Sequence, residues 1–517
     1  MFSSLSRICL LASIYFLTIT TSFSQSPQKP NIIIFLVDDM GLMDTSVPFL
    51  LDSKGKPQVH PLNNWYQTPN MKRLADLGIR FSTFYAQSVC SPSRASLITG
   101  QNAARHKTTQ WINPDENNRG NLGPKDWNWK GIPKTDTTTL PLLLQKQGYE
   151  TIYVGKAHFG PFGSFAENPL NLGYHVNIGG TAIGHPGSYL GMDNYAQKMK
   201  NGSIRQQVPH LENYHQTSTF LTDALTNEAK KEINKAAANK KPFFLQIAHY
   251  AVHTPFMFDP SFKAHYMKDT LRGVEAQKFA SMVEGMDNSL GQILDELEKL
   301  SLAENTIIFF LGDNGSDAPL GPTHEVSSSA PLRGKKGTHY EGGMRIPFIA
   351  SWAKPERTNT WQKKMPIKQG AIQTQLGTIM DIYPTILDLL DIKNPIGHSV
   401  DGTSLAVNLM GNSNSLKSET FLMHFPHDHR SKYFTSYRNG DWKIVYHYFP
   451  ALNPANTRFE LFNLLLDPYE TNNLATKMPQ KLKKLVNQMR EQLEKEGALY
   501  PIDENGNITK PSFSNKY

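Results

Sequence analysis

Asp38-Asp39 and Asp313-Asn314 are the residues of this chain best suited to hold a hard cation. Three carboxylates and an amide offer oxygen donors, which Ca²⁺ and Mg²⁺ take and which Zn²⁺, with its preference for nitrogen and sulfur, does not. Adjacent carboxylates repel, and a divalent ion would offset that repulsion. Either pair alone is also common turn composition; both together, each directly after an apolar run, point to a metal. Cys90 opens the segment Cys90-Ser91-Pro92-Ser93-Arg94-Ala95-Ser96-Leu97-Ile98-Thr99-Gly100. Pro92 suits the first turn of a helix that Gly100 ends, so Cys90 is expected at a helix N-terminus, where backbone N–H groups favour an anion. Arg94, one helical turn on, can reach back to the same spot. Lys156, His158 and His253 also follow apolar runs and bring cationic and proton-transferring groups.

The elements that must position these residues follow from periodicity. Residues 31–37, 149–154, 243–248 and 306–311 are β-branched and aromatic runs, the pattern of strands buried on both faces of a parallel sheet. Residues 217–238 and 279–300 keep the i, i+3, i+4 spacing of helices with one apolar face. Alternating strands and helices predict an α/β fold, a large and mostly parallel sheet sandwiched by helices. Ligands in such folds bind beyond the carboxyl ends of the strands, so the separated polar clusters are expected to converge on one site. Residues 113–133 and 161–208 read as long rim loops. Near residue 415 the character changes. Residues 434–438 and 442–448 flank Asn439-Gly440 as a hairpin, and 480–494 reads as an amphipathic helix, predicting a smaller C-terminal α+β subdomain with an antiparallel sheet.

The chain has 517 residues, 39% hydrophobic and 19% charged, enough to bury a sizeable core and unlike low-complexity disorder. Its net charge of +8, without clustered Lys/Arg runs, favours anionic partners but not nucleic acid. Arg7, the apolar stretch 8–19 and Ser22-Phe23-Ser24 form an export signal over residues 1–24. That stretch is shorter than the roughly 20 residues of a membrane span, and no later segment reaches that length. Removing the signal takes Cys9 with it and leaves Cys90 as the single cysteine of an exported protein, where a thiol is either a small buried hydrophobe or a chemically special residue. The organisation expected is a signal peptide, a catalytic α/β domain over 25–415 and the C-terminal subdomain over 416–517.

The motif set resembles the formylglycine-dependent sulfatases of the alkaline phosphatase superfamily. Cys90-x-Pro92-x-Arg94 with Thr99-Gly100 matches the family signature, and Asp38-Asp39, Gly155-Lys156-x-His158, His253-Thr254-Pro255, Asp313-Asn314-Gly315, Arg333-Gly334-Lys335-Lys336-Gly337 and Asp467-Pro468-x-Glu470 follow in order. The resemblance implies an alkaline phosphatase-like fold and oxidation of Cys90 to formylglycine by a separate maturation enzyme. It implies a divalent cation, Ca²⁺ ahead of Mg²⁺, on Asp38, Asp39, Cys90, Asp313 and Asn314. Arg94, Lys156 and Lys336 would neutralise sulfate oxygens. His253, assisted by Lys336, would protonate the leaving alkoxide, and His158 would deprotonate the second hydroxyl of the hydrated aldehyde. The family has one lysine where this chain has Lys335 and Lys336, so both remain candidates for sulfate contact.

Export and positive charge favour a sulfated polysaccharide or its oligosaccharides as substrate, an algal one such as ulvan ahead of glycosaminoglycans, in a bacterial periplasm or at the cell surface. His106, Trp111, His185, His324 and His339 lie in or near loops that could rim the cleft and touch a sugar, although most are expected to be structural or simply exposed. Two other readings use the same residues. One is a phosphodiesterase or phosphonate monoester hydrolase on the same scaffold; the other is a polysaccharide-binding protein in which Cys90 stays a thiol.

Overall fold

Strand β1 (Asn31–Val37) is buried along its whole length and lies at the centre of an eight-stranded sheet. The other strands are β2 (Ile79–Phe81), β3 (Glu150–Gly155), β4 (Val176–Ile178), β5 (Phe243–His249), β6 (Thr306–Gly312), β7 (Phe348–Trp352) and β8 (Ala371–Gln373). Their order is β8-β2-β7-β6-β1-β5-β3-β4, with β7 alone antiparallel to its neighbours. The computed structural model describes residues 28–135, 138–269, 271–321, 328–453 and 456–513. The expected signal segment 1–24 and His324 lie outside the described residues.

The period-2 alternation of β1 feeds two cores. Ile33, Phe35 and Val37 pack with α2 (Leu221–Ala238) and α3 (Val274–Lys299) on one face, and Ile32, Ile34 and Leu36 pack with α1 (Cys90–Thr99) on the other. Each aliphatic side chain buried this way contributes about 1.5–3 kcal/mol, so the central strand is held firmly and its carboxyl end is a fixed platform. The expected helices begin and end within five residues of those observed. Segment 161–208 is largely irregular, as expected, yet it also supplies edge strand β4, whose three residues are too short to show a period in sequence.

The C-terminal sheet is antiparallel and runs β9 (Thr420–Phe425), β10 (Phe434–Asn439), β11 (Trp442–His447) and β12 (Phe459–Asn463). The hairpin turns at Gly440, whose φ of 57° suits a residue without Cβ. Helix α4 (Pro479–Glu496) lays Leu482, Leu485, Val486, Met489 and Leu493 against that sheet.

Candidate active site

Four polar clusters meet at the carboxyl edge of the parallel strands. The loops after the strands are laced together: Asp38 N–H donates to Ala251 O at 3.0 Å, Val252 N–H to Asp38 O at 2.7 Å, and Asp313 N–H to Val37 O at 3.1 Å. Asp39 has φ of 57°, which turns the chain sharply after β1 and leaves its N–H to donate to Asp313 Oδ1 at 3.1 Å. Helix α1 starts at Cys90 and ends at Gly100, which is left-handed at φ 68°. Ser93 fixes its entry by accepting the Gln87 N–H at 2.9 Å.

Within this platform three carboxylates face three cations. Lys156 Nζ lies 2.6 Å from Asp38 Oδ2, and Lys336 Nζ lies 2.6 and 2.8 Å from the two oxygens of Asp39. Arg94 donates from Nε to Asp313 Oδ2 at 2.9 Å and from Nη1 to Lys156 O at 2.6 Å, and its Nη2 stands 3.5 Å from Asp38 Oδ1. Nε and Nη1 are thus committed within the protein, while Nη2 is buried near Asp313 Oδ2 at 2.8 Å and Asp38 Oδ1 with no hydrogen bond of its own among the described residues. Burial raises the Asp38 carboxyl above its ordinary range, and burial together with Asp38 lifts Asp313 to about 6. Burial works the same way on Asp39, but Lys336 and His253 outweigh it and hold that carboxyl well below the usual range.

Oxygens of Asp38, Asp39 and Asp313 lie within 4.8 Å of one another. Asp38 Oδ1 and Asn314 Oδ1 are buried with no hydrogen-bond partner among the described residues, while Asn314 Nδ2 donates to Asp39 Oδ1 at 2.9 Å. Two orphaned oxygens beside two further carboxylates fit a hard divalent cation, because burying such acceptors unpaired is costly.

Cys90 Sγ stands 3.3 Å from His158 Nδ1, and His158 Nε2 donates to Ile112 O at 2.6 Å. That second bond fixes the tautomer: Nδ1 carries the lone pair toward position 90. Burial and Lys156 push the imidazolium down to about 3, so the ring is neutral. His253 donates from Nδ1 to Thr254 O at 3.0 Å, and its Nε2 faces Asp39 Oδ2 at 3.6 Å. Burial and Lys336 push its pKa well below 6.5.

These groups form the floor of a cavity of about 430 Å³. Cys90, His158, His253 and Lys336 line it, with Trp111 and His185 on its walls, and the His185 ring stacks on His253 at 5.6 Å. His106 and His339 are elsewhere: the first meets Ser96 Oγ at 3.1 Å, and the second is buried between Ser431 and Glu460. Lys335 and Lys336 separate cleanly, since Lys335 turns outward to Asp317 at 3.4 Å. Sequence reasoning missed Gln206, Asp317, His429 and Arg430, which also line the cavity. The last two come from the loop between β9 and β10, so the C-terminal subdomain completes the wall; the polar run His427-Asp428-His429-Arg430 was the available signal.

Comparison with known proteins agrees with this arrangement. The Sulfatase family model matches residues 30–392, and the model for the N-sulphoglucosamine sulphohydrolase C-terminal region matches 335–498. N-acetylgalactosamine-6-sulfatase of Mus musculus is 33% identical over 395 residues, covering 74% of this chain and 66% of that protein. A sulfatase of Formosa agariphila is 30% identical over 505 residues, covering 87% and 85%. The solved structure of Ps i-CgsB in complex with k-i-k-neocarrahexaose superposes with TM-score 0.69 at 25% identity, covering 93% of this chain and 96% of that one. With its alkaline phosphatase-like fold, this chain belongs to the sulfatase family of sulfuric ester hydrolases.

Proposed function

We propose that this chain is an exported enzyme that hydrolyses sulfate esters on a carbohydrate, an algal polysaccharide or its oligosaccharides, using formylglycine made from Cys90 by a maturation enzyme. Residues 25–415 act as the catalytic domain and 416–517 as a subdomain that closes one wall of the cavity. Asp38, Asp39, Asp313 and Asn314, with position 90, hold a divalent cation, Ca²⁺ ahead of Mg²⁺. The observation that carries the reading is Cys90 at the start of α1, 3.3 Å from a lone pair of His158 and lining the same cavity as Lys336, whose ammonium sits on Asp39 of the buried oxygen cluster. The relatives named for N-acetylgalactosamine-6-sulfate and solved with a neocarrahexaose support a saccharide substrate.

As a hydrated aldehyde, position 90 supplies one hydroxyl to attack sulfur and a second whose deprotonation releases sulfate; the thiol sulfur marks where one of these oxygens stands. The cation supplies positive charge beside the reacting oxygens. The rest falls to the chain. Lys336 brings an ammonium group to the cavity lining and the fully buried Lys156, paired with Asp38, adds a second positive charge; low dielectric strengthens their hold on sulfate oxygens as charge shifts. His158 Nδ1, kept unprotonated by burial and by its bond to Ile112 O, accepts the proton of the second hydroxyl. His253 Nε2 faces the cavity beside Lys336 and delivers a proton to the leaving alkoxide, and bound sulfate, an anion, counters the depression of its pKa.

The test is matched turnover of an aryl sulfate and an aryl phosphate diester by protein co-produced with a formylglycine-generating enzyme, with mass spectrometry of peptide 81–94. The expected result is an aldehyde mass at position 90 and preferential sulfate release. Faster diester hydrolysis overturns the sulfatase reading, and an unmodified thiol with no turnover favours the binding protein.

A further inference from the structure

The deep site balances its own charge, with Asp38, Asp39 and Asp313 against Arg94, Lys156 and Lys336. The mouth of the cavity does not follow that pattern. Asp317, four residues beyond Asp313, receives Arg430 Nη1 at 2.6 Å and Nη2 at 3.0 Å, and its Oδ1 also receives Lys335 Nζ at 3.4 Å. One carboxylate thus sits between two cations and leaves a local surplus of one positive charge.

These cations are also accessible, Arg430 as part of the cavity lining and Lys335 just outside it, on Asp317. The Arg430 and Lys335 side chains are 37% and 40% exposed, while those of Arg94 and Lys156 are fully buried. Both meet the same Asp317 oxygen, so a single anion could bridge them. Of the neighbouring groups, His429 and Asp428 leave the surplus in place. Burial and Arg430 push His429 down to about 4, so it adds no charge at neutral pH. Asp428 pairs with Lys432 at 3.6 Å; Asp115, which lines the same cavity, is exposed and forms no ion pair among the described residues, and is the one neighbouring carboxylate set against Lys335 and Arg430.

We propose that Lys335 and Arg430, organised by Asp317, form a rim subsite for a second anionic group, sulfate or carboxylate, on a saccharide whose scissile sulfate occupies the floor. This inference rests on the sulfatase reading and assigns to the outward lysine of the Lys335-Lys336 pair a role distinct from that of its neighbour. The rim is partly solvated, so its effect is moderate and screened by salt.

The experiment compares kcat/KM for disaccharides sharing one scissile sulfate ester and carrying no second anion, a second sulfate, or a carboxylate on the adjoining sugar. Wild type is expected to prefer at least one doubly anionic substrate by about 3- to 10-fold at low ionic strength, with the preference fading as KCl is added. The arm that gains identifies the anion. Lys335→Ala and Arg430→Gln should each reduce the preference, and Lys335→Glu should reverse it. Lys335 is the cleaner probe, because Arg430 also donates to Lys336 O at 3.1 Å. Equal rates on all three substrates in wild type, or an unchanged preference in Lys335→Ala, overturn the subsite. Absence of turnover on every substrate, with formylglycine confirmed by mass, counts instead against the sulfatase reading.

Discussion

Replacing Lys156 by Met tests whether the buried charges beyond β1 are held by mutual pairing. The ammonium and the Asp38 carboxylate are both fully buried and 2.6 Å apart, and Asp38's remaining cationic neighbour, Arg94 Nη2, is 3.5 Å away and already engaged by Asp313 at 2.8 Å. Met keeps the volume and removes the charge, so Asp38 is left uncompensated. Breaking a buried pair in this way costs about 3–5 kcal/mol. At about 2.1 cal/mol/K per residue a unit of this size shifts by roughly 1 °C per kcal/mol, so the expected fall in Tm is about 3–6 °C. The double variant Lys156→Met/Asp38→Asn removes both charges and is expected to recover most of the loss. Thermal unfolding followed by circular dichroism in EDTA, then with added Ca²⁺, separates the contributions. Ca²⁺ should shrink the penalty of the single variant, because the ion gives Asp38 a new partner, and should help the double variant less. A single-variant loss below about 1 kcal/mol, the range of exposed pairs, or a double variant no more stable than the single, refutes the reasoning.

Cys90→Ala should lower turnover by at least about 10³-fold with little change in Tm, since Sγ has one polar partner among the described residues, His158 Nδ1. Measurable activity near wild type removes position 90 from the chemistry. His253→Ala should cost about 10²–10⁴-fold on alkyl sulfates and much less on aryl sulfates, whose leaving groups need no proton; equal losses count against an acid role. Away from the site, burial depresses the pKa values of His249, His424 and His427 to about 3, 4 and 3, from 6.5. Between pH 6.5 and about 4 the unfolded chain binds protons that the folded chain refuses, so stability falls as pH falls, by up to about 1.4 kcal/mol per unit for each group. A Tm that stays flat from pH 7 to pH 5 contradicts this.

The central strands and the helix opening at Cys90 were legible because burial on both faces and a Pro-to-Gly frame leave strong local patterns. The convergence of Asp38, Lys156, His253 and Asp313 was legible for a topological reason: parallel strands end on one edge. What escaped were groups whose placement depends on tertiary contact. Arg94 is expected from spacing to face the anion; that its Nε and Nη1 are held by Asp313 and Lys156 O, from loops distant in sequence, leaves no local pattern. Lys335 and Lys336 are indistinguishable as letters; the fold separates them by bonding Lys336 N–H to Ser316 O at 3.0 Å and aiming one side chain at Asp39 and the other at Asp317. Arg430 and His429 reach the cavity only because the C-terminal sheet docks beside it.

That docking explains why a motif as late as Asp467-Pro468-x-Glu470 belongs with the site. Glu470 is fully buried, accepts the Glu341 N–H on one oxygen at 2.7 Å and meets Lys443 of β11 on the other at 2.6 Å. Lys443 also holds Glu341 at 3.0 Å, and Glu470 O accepts from Arg333 at 2.7 Å. The turn so fixed continues inward: Gly342 N–H donates to Arg333 O at 2.8 Å and Gly315 N–H to Gly343 O at 3.0 Å. A Cβ at Gly315 would stand 2.1 Å from Gly342 O and one at Gly342 2.5 Å from Gly334 O, so these backbones touch with no room for side chains. The loop carrying Lys336 and the loop carrying Asn314 are therefore clamped to each other and, through Glu470 and Lys443, to the C-terminal sheet. Interiors packed this closely transmit displacement rather than absorb it, so the position of the Lys336 ammonium over Asp39 depends on a carboxylate 134 residues further along the chain.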